Sequence, residues 1–411
     1  MYKRHVRRGG RTGQQPVRVL LILLLILMGA VLIFFNVGGK SFYRKGMKAF
    51  QAGTYEKAGT YFEKAISRNE NQSKYRNAYG MTLIQLGEYE EAVGEFTKAI
   101  SKNTSKRNLE QNKEAYRGLG ICYFFAKNYE NSIHNFDLSL GIRESNDLNA
   151  DILKYKAEAE MKLGNYENAV SIYTQIIDEE DKASSLYLKR AYAYSAMNCV
   201  KEAAADFDYV IEKDEDNFNA YLGAYTLFVN AEEEEKADSY LEKALQITPD
   251  TTDEKLIYAV IQYYYYGITE EAKQSLETLV TEGKEEAYFY LAKISYAEED
   301  FEQVSSYLNS YVSKKNAEHL AEAYEMLGRT AMLGSDYETA LAWFEKGIAC
   351  GDVQWTQILK KDQIAVYEYL SDFEEAYRIA AEYLADFPED QDIKRELDFI
   401  ETRLSKNGMV K

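Results

Sequence analysis

Three histidines (His5, His134, His319) and three cysteines (Cys122, Cys199, Cys350) are all the imidazole and thiol chemistry the chain has. They lie far apart, with none of the paired spacing that a Cys-based zinc site or a disulfide-stapled fold requires. His134 and His319 have no acid or nucleophile set beside them in sequence, so a His-driven hydrolase is not expected. The chain contains no G-x-S-x-G, no H-E-x-x-H and no phosphate-binding P-loop. No catalytic residue, metal, cofactor or small-molecule substrate is expected. Cys122 and Cys350 read as small hydrophobes in or beside helices. Two runs remain. Glu232 to Glu235 reads as a solvated turn between helices. Tyr263 to Tyr266 is a run of large rings suited to packing or to a partner surface.

Charge is unevenly spread. Residues 1–18 carry +6 without a single acid, and the rest of the chain carries −24. So acidic a body repels phosphate backbones, which disfavours nucleic acid as a partner. Between lies Val19 to Phe35, a run without a charged side chain, built almost wholly of Val, Leu, Ile and Phe. Its insertion into a bilayer is favourable by on the order of 4 to 8 kcal/mol. As a helix the run spans about 26 Å, and Val17 and Val37 extend it toward the roughly 30 Å of a hydrocarbon core. The competing reading is a cleaved signal peptide with Val37 and Gly39 as the small pair before the cut. Against it stand the usual cleavable core of about 7–15 residues and the lack of an A-x-A pattern. The expectation is a signal anchor over 19–37. The cationic residues 1–18 would form a cytoplasmic tail, and everything after the anchor would lie outside the cytoplasm.

Self-similarity organises the remainder. Residues 52–66 read AGTYEKAGTYFEKAI and 86–100 read LGEYEEAVGEFTKAI. Residues 162–177 read KLGNYENAVSIYTQII and 332–348 read MLGSDYETALAWFEKGI. One position can be followed down the chain as Ala58, Ala92, Ser132, Ala169, Ala203, Ala237, Ala272, Val304, Ala340 and Ala376, at spacings of 32 to 40. Four positions later stand Phe62, Phe96, Phe136, Tyr173, Phe207, Leu241, Leu276, Leu308, Phe344 and Ala380. A small residue with a bulky one four later lies on one helix face. The first lets a neighbouring helix approach, and the second fills the groove beside it. Pro249 and Pro388 follow Ala237 and Ala376 at one identical offset, where a helix must stop.

These residues resemble the tetratricopeptide repeat family, a helix–turn–helix unit of about 34 residues. The first-helix signature shows as Ala78-Tyr79-Gly80 with Leu83, as Leu119-Gly120 with Tyr123, and as Leu327-Gly328. Stretches 253–285, 286–317 and 357–390 depart most from the pattern. The resemblance implies an all-α fold: a right-handed α-solenoid of about ten repeats over 40–390, preceded by the transmembrane helix. A capping helix and tail over 391–411 complete it, with Ile393, Leu397, Ile400 and Leu404 on the covered face.

By the family's geometry, five positions of each repeat face a concave groove. Those positions carry as many cations as anions, and their aromatics nominate Phe124, Phe125, Tyr192, Tyr264, Tyr265, Phe289 and Tyr296 as a peptide-binding surface. Tyr264 and Tyr265 are expected to form one patch with Phe289 and Tyr296. The clamp with which some members hold chaperone C-termini fails at Tyr43, Met47, Asn77 and Met81. The resulting expectation is a membrane-anchored, non-catalytic scaffold that binds a protein or peptide partner near the membrane. The competing reading is a helper that presents clients to an envelope assembly or secretion machine.

Overall fold

The computed structural model describes residues 38–179, 183–314, 317 and 319–406, and the expected anchor at 19–37 lies outside them. The described residues are helical throughout, with no strand. No helix among them is long and apolar enough to cross a membrane.

The chain divides between Tyr155 and Lys156 into two compact units. The first holds α1 (38–51), α2 (Tyr55–Arg68), α3 (Ser73–Leu86), α4 (Tyr89–Ala99), α5 (Lys106–Phe125) and α6 (Tyr129–Leu140). Helix α7 (Asn149–Lys162) crosses the division. The second unit continues with α8 (Tyr166–Glu179), α9 (Ser184–Ala196), α10 (Val200–Lys213), α11 (Phe218–Asn230), α12 (Glu234–Ala244), α13 (Thr252–Tyr266) and α14 (Glu270–Thr281). It ends with α15 (Ala287–Ala297), α16 (Phe301–Val312), α17 (Leu320–Leu333), α18 (Tyr337–Ile348), α19 (Val353–Tyr369), α20 (Phe373–Asp386) and α21 (Gln391–Lys406). Odd-numbered helices up to α19 are the first members of ten antiparallel pairs, and α21 packs on α20 as a final layer.

The small position is buried in every pair, with none of its ten residues more than 1% exposed, and the same holds four positions later. Around these residues the fit is matched by size. Gly46, Gly80, Gly120 and Gly328 precede Phe62, Phe96, Phe136 and Phe344 at one constant offset. A Cβ on any of the four would come within 2.2–2.7 Å of that ring. Where the second-helix residue shrinks to Ala380, the facing position grows to Ile364, and both are buried in one cluster. A large residue in one helix is thus accommodated by a small one in its partner, as close packing demands.

The turn inside each pair is equally regular. In nine of ten, the residue before the second helix's N-cap has a left-handed backbone: Gly53, Gly87, Lys127, Gly164, Asn198, Glu232, Glu299, Ser335 and Ser371. That conformation reverses the chain within a very short connection. Second helices are then capped by Asn128, Thr269, Asp300, Asp336 and Asp372, whose side chains accept the N3 amide. Pro249 and Pro388 fall in the connections after α12 and α20.

Candidate functional site

First helices pack against their own second helix and against the preceding pair, and they leave one face clear. In the first unit that face forms an open pocket of about 370 Å³. Tyr43, Met47 and Phe50 of α1, Lys74, Asn77 and Met81 of α3, and Glu114 and Arg117 of α5 line it, with Leu148 closing one end. Helical spacing sets the register. Residues 43, 47 and 50 share one face of α1, and 74, 77 and 81 share one face of α3.

Asn77 is the centre of this pocket. It is only 3% exposed, and its amide Nδ2 donates to Gln111 O at 2.9 Å and to Glu114 Oε2 at 3.3 Å. Its Oδ1 is buried and accepts no hydrogen bond among the described residues. A buried acceptor left open is costly. Burial pushes the Glu114 carboxyl above its ordinary range, against the pull of Asn77, Lys74, Gln111 and Arg117. Burial also pushes the Tyr43 hydroxyl up to about 12, with Glu114 and Tyr75 adding to the shift. The Tyr43 ring stacks on Tyr75 at 5.2 Å and carries the Lys74 ammonium 5.0 Å from its centroid. Arg117 Nε donates to Asp151 Oδ2 at 2.5 Å. The pocket therefore offers aromatic and thioether surface, a carbonyl acceptor and two cations.

The seven aromatic candidates occupy other places, and none of them lines this pocket. Phe125 is exposed and stacks on Tyr89, and Phe124 meets Tyr129 and Tyr155 edge-on. Tyr192 lies edge-on to Phe207 while its hydroxyl donates to Asn219 O at 3.0 Å. Tyr264 packs against Tyr225 and Tyr263, and the Tyr265 hydroxyl donates to Glu242 at 2.8 Å. Tyr296 turns to Phe301. Phe289 corrects the sequence expectation most directly. It is 1% exposed, held among Tyr290, Tyr311 and a stacked His319, and so cannot present a surface. Of the patch expected from Tyr264, Tyr265, Phe289 and Tyr296, Phe289 belongs to the core, and Lys293 links it to Tyr264 by bonding to that side chain while standing 5.5 Å from the Phe289 ring centroid. Helix α15 is buried on both sides, at Phe289, Leu291, Ala292, Ile294 and Ser295 alike, so counting positions along it does not separate groove from core.

The balanced charge of the groove positions has a direct cause. Cations on one first helix bond to acids on a neighbouring first helix. Arg117 reaches Asp151, Lys189 reaches Glu158, Lys293 reaches Glu322 at 3.0 Å and Arg329 reaches Asp362 at 3.2 Å. Lys361 extends the series to Asp390 at 2.6 Å. These spacings near one repeat length are present in the sequence, and sequence reading leaves them unused. It also misses Lys113. Fully buried, Lys113 donates through Nζ to Ile142 O at 2.8 Å and Asn149 Oδ1 at 2.7 Å, which ties down the long connection after α6.

The remaining chemistry is plain. Cys122 is fully buried, and that burial pushes its thiol up to about 12. Glu232 to Glu235 are all exposed, spread over the turn and the start of α12. Among the described residues no group of His, Cys, Asp and Glu is placed to hold a metal.

Residues 43–106 and 80–146 match the tetratricopeptide repeat family model. No curated protein sequence matches the chain. Solved structures similar to it include the C-terminal part of a tetratricopeptide repeat protein from Cytophaga hutchinsonii, at 15% identity over 69% of this chain and 99% of that one, with a TM-score of 0.44. A tetratricopeptide repeat protein from Parabacteroides merdae aligns at 15% identity over 62% and 99%, with a TM-score of 0.43. YrrB, described as a tetratricopeptide repeat protein with an unusual peptide-binding site, aligns at 22% identity over 47% and 95%, with a TM-score of 0.39. The family match identifies residues 43–146 as tetratricopeptide repeats, and helix pairs with the same buried small-and-bulky positions continue through Ala376 and Ala380.

Proposed function

We propose that the chain is a membrane-anchored scaffold that holds a peptide segment of a partner protein against α1, α3 and α5. Tetratricopeptide repeats are, as a class, protein-binding and non-catalytic. The observation that carries the assignment to this face is a pocket walled by Tyr43, Met47, Phe50 and Met81 and lined by Asn77, whose buried Oδ1 is unpaired and meets a ligand once the amide turns toward it. A peptide main chain supplies the N–H that this oxygen lacks, and its side chains gain the aromatic and methionine surface. The anchor is the apolar run Val19 to Phe35, which ends just before α1 as described. A partner seated on α1 therefore lies close to the bilayer.

A photo-crosslinking residue at Met81, placed in the full chain and irradiated in membranes, tests this. The expected product is an adduct that maps to a single partner in stoichiometric yield and is reduced severalfold by Asn77→Ala. An adduct unchanged by Asn77→Ala, or none at all, overturns the pocket assignment. A broad spread of weak adducts supports the client-presenting reading instead. Extraction with alkaline carbonate tests the anchor separately.

A further inference from the structure

The pocket is not the only surface of the first unit with a distinct character. One edge of that unit gathers the start of α1, the end of α2, the start of α3, the end of α4 and the start of α5. Contacts fix this grouping. A Cβ on Gly39 would lie 3.4 Å from both Arg68 Cβ and Tyr75 Cε2. Ser73 Oγ donates to Ala99 O at 2.5 Å, and Arg107 donates to Gln72 Oε1 at 3.1 Å. Three of the chain segments at this edge are 38–45, 64–76 and 98–110, and a fourth, 141–149, carries Arg143 against Glu144 and Asp147. Together the first three hold eleven Lys and Arg against two acids, Glu70 and Glu110, in a chain whose net charge is −18. Glu95 engages two of the cations, Arg76 at 2.6 Å and Lys98 at 2.7 Å. Lys40, Arg44, Lys45, Lys102, Lys106 and Arg107 are exposed.

The distribution is specific to this edge. The opposite edge of the same unit, at turns 52–57 and 86–91, holds Glu56, Glu88, Glu90 and Glu91 against Lys57 alone. Most connections between pairs in the second unit are acidic, the exception being 313–320 with Lys314 and Lys315 against Glu318. Residues 211–219 hold four acids to one base, and 246–254 hold Asp250, Asp253 and Glu254 with no base. Within the first unit the excess of cations thus sits at the edge where α1 begins. That is also where the chain arrives from the apolar run ending at Phe35.

We infer that this basic edge docks on the anionic headgroup surface of the bilayer. The proposal rests on the anchored reading above. A bilayer entered by residues 19–35 lies within a short stretch of chain from Lys40, and surface cations held there gain from anionic lipid within about one Debye length. Nucleic acid would also meet the charge requirement, but only the bilayer explains why the cations sit beside the incoming apolar run. Docking would fix the first three pairs edge-on to the membrane, with the turns 52–57 and 86–91 pointing away from it.

The test uses the full chain reconstituted in vesicles of phosphatidylcholine, with and without phosphatidylglycerol, and an amine-reactive footprint. Lys102 and Lys106 should label severalfold more slowly when phosphatidylglycerol is present, while exposed Lys201 labels at the same rate in both. The difference should vanish at about 1 M salt, where the screening length falls to about 3 Å. The double variant Arg44→Glu, Arg107→Glu, which leaves the reporting lysines in place, should shrink it. Equal labelling in both lipids, by protein that resists carbonate extraction, overturns the docking proposal and leaves the anchor intact. Protein that carbonate removes from both vesicles overturns the anchored reading and this proposal with it. Slower labelling caused by added RNA or DNA but not by phosphatidylglycerol also overturns it.

Discussion

Packing at single residues is tight enough that one methyl group decides it. A Cβ on Gly328 would stand 2.2 Å from Phe344 Cε1, and the ring is itself fully buried. Gly328→Ala is expected to cost about 1–3 kcal/mol through overpacking. Adding Phe344→Leu should return part of that loss, and chemical denaturation of the single and double variants measures the coupling. Titration acts at the same scale. Burial pushes the Glu325 carboxyl up to about 7, against the pull of Arg329, with Asp362 and Glu322 adding to the rise. Burial and its neighbour Glu396 likewise push Glu368 up to about 7. An acid whose pKa rises on folding binds its proton more tightly in the folded state. It therefore stabilises the fold below its unfolded value near 4.5, and that contribution is lost as pH climbs through 7. Amide exchange over 320–369, corrected for intrinsic rate, should show less protection at pH 7 than at pH 5. Glu325→Gln should flatten the difference, and protection that increases toward pH 7 would contradict this account.

At the level of helices, the pair-internal turn is the clearest device, and several of its residues are not glycine. Glu299 and Ser371 have φ near 60°, where an ordinary residue is disfavoured by about 1–2 kcal/mol. Glycine there regains that amount less about 0.5–1 kcal/mol of unfolded-state entropy. Glu299→Gly and Ser371→Gly should each leave stability unchanged or raise it by up to about 1 kcal/mol, whereas Gly87→Ala should lower it by a similar amount. Melting temperatures of the three variants check the signs. The same contrast between helix types explains what the sequence disclosed. Second helices bury one face, so Ala58 with Phe62, or Ala340 with Phe344, repeats in a way that can be followed by eye. First helices are covered on two sides and lose that periodicity. This is why counting positions assigns Phe289 to a surface although it is core, and why Asn77 reads as a failed clamp position although, with its unpaired acceptor, it lines the pocket. Partner choice across pairs, as in Arg117 with Asp151, depends on the turn register, which no single helix displays.

Within α2–α6 and α8–α21, each helix makes its extensive contacts with helices adjacent in sequence or with the nearest first helix. Stability is then a sum of local and nearest-neighbour contributions. Ala92→Leu, at a position with no exposure, is expected to cost about 1–3 kcal/mol. Exchange should quicken over 73–146 and remain slow over 321–405. Uniform loss of protection along the chain would exclude a neighbour-coupled array. Within the second unit the turn of the fourth pair also meets the start of α19. Tyr166 bonds to the Gln354 side chain, and a Cβ on Gly164 would lie 4.0 Å from Val353 Cγ1. The three cysteines are free, so no covalent link limits extension. Under tension the molecule would therefore behave as a sequence of breakable springs: the 166–354 clasp would part first, and each pair that then unravels would release about 110 Å of chain.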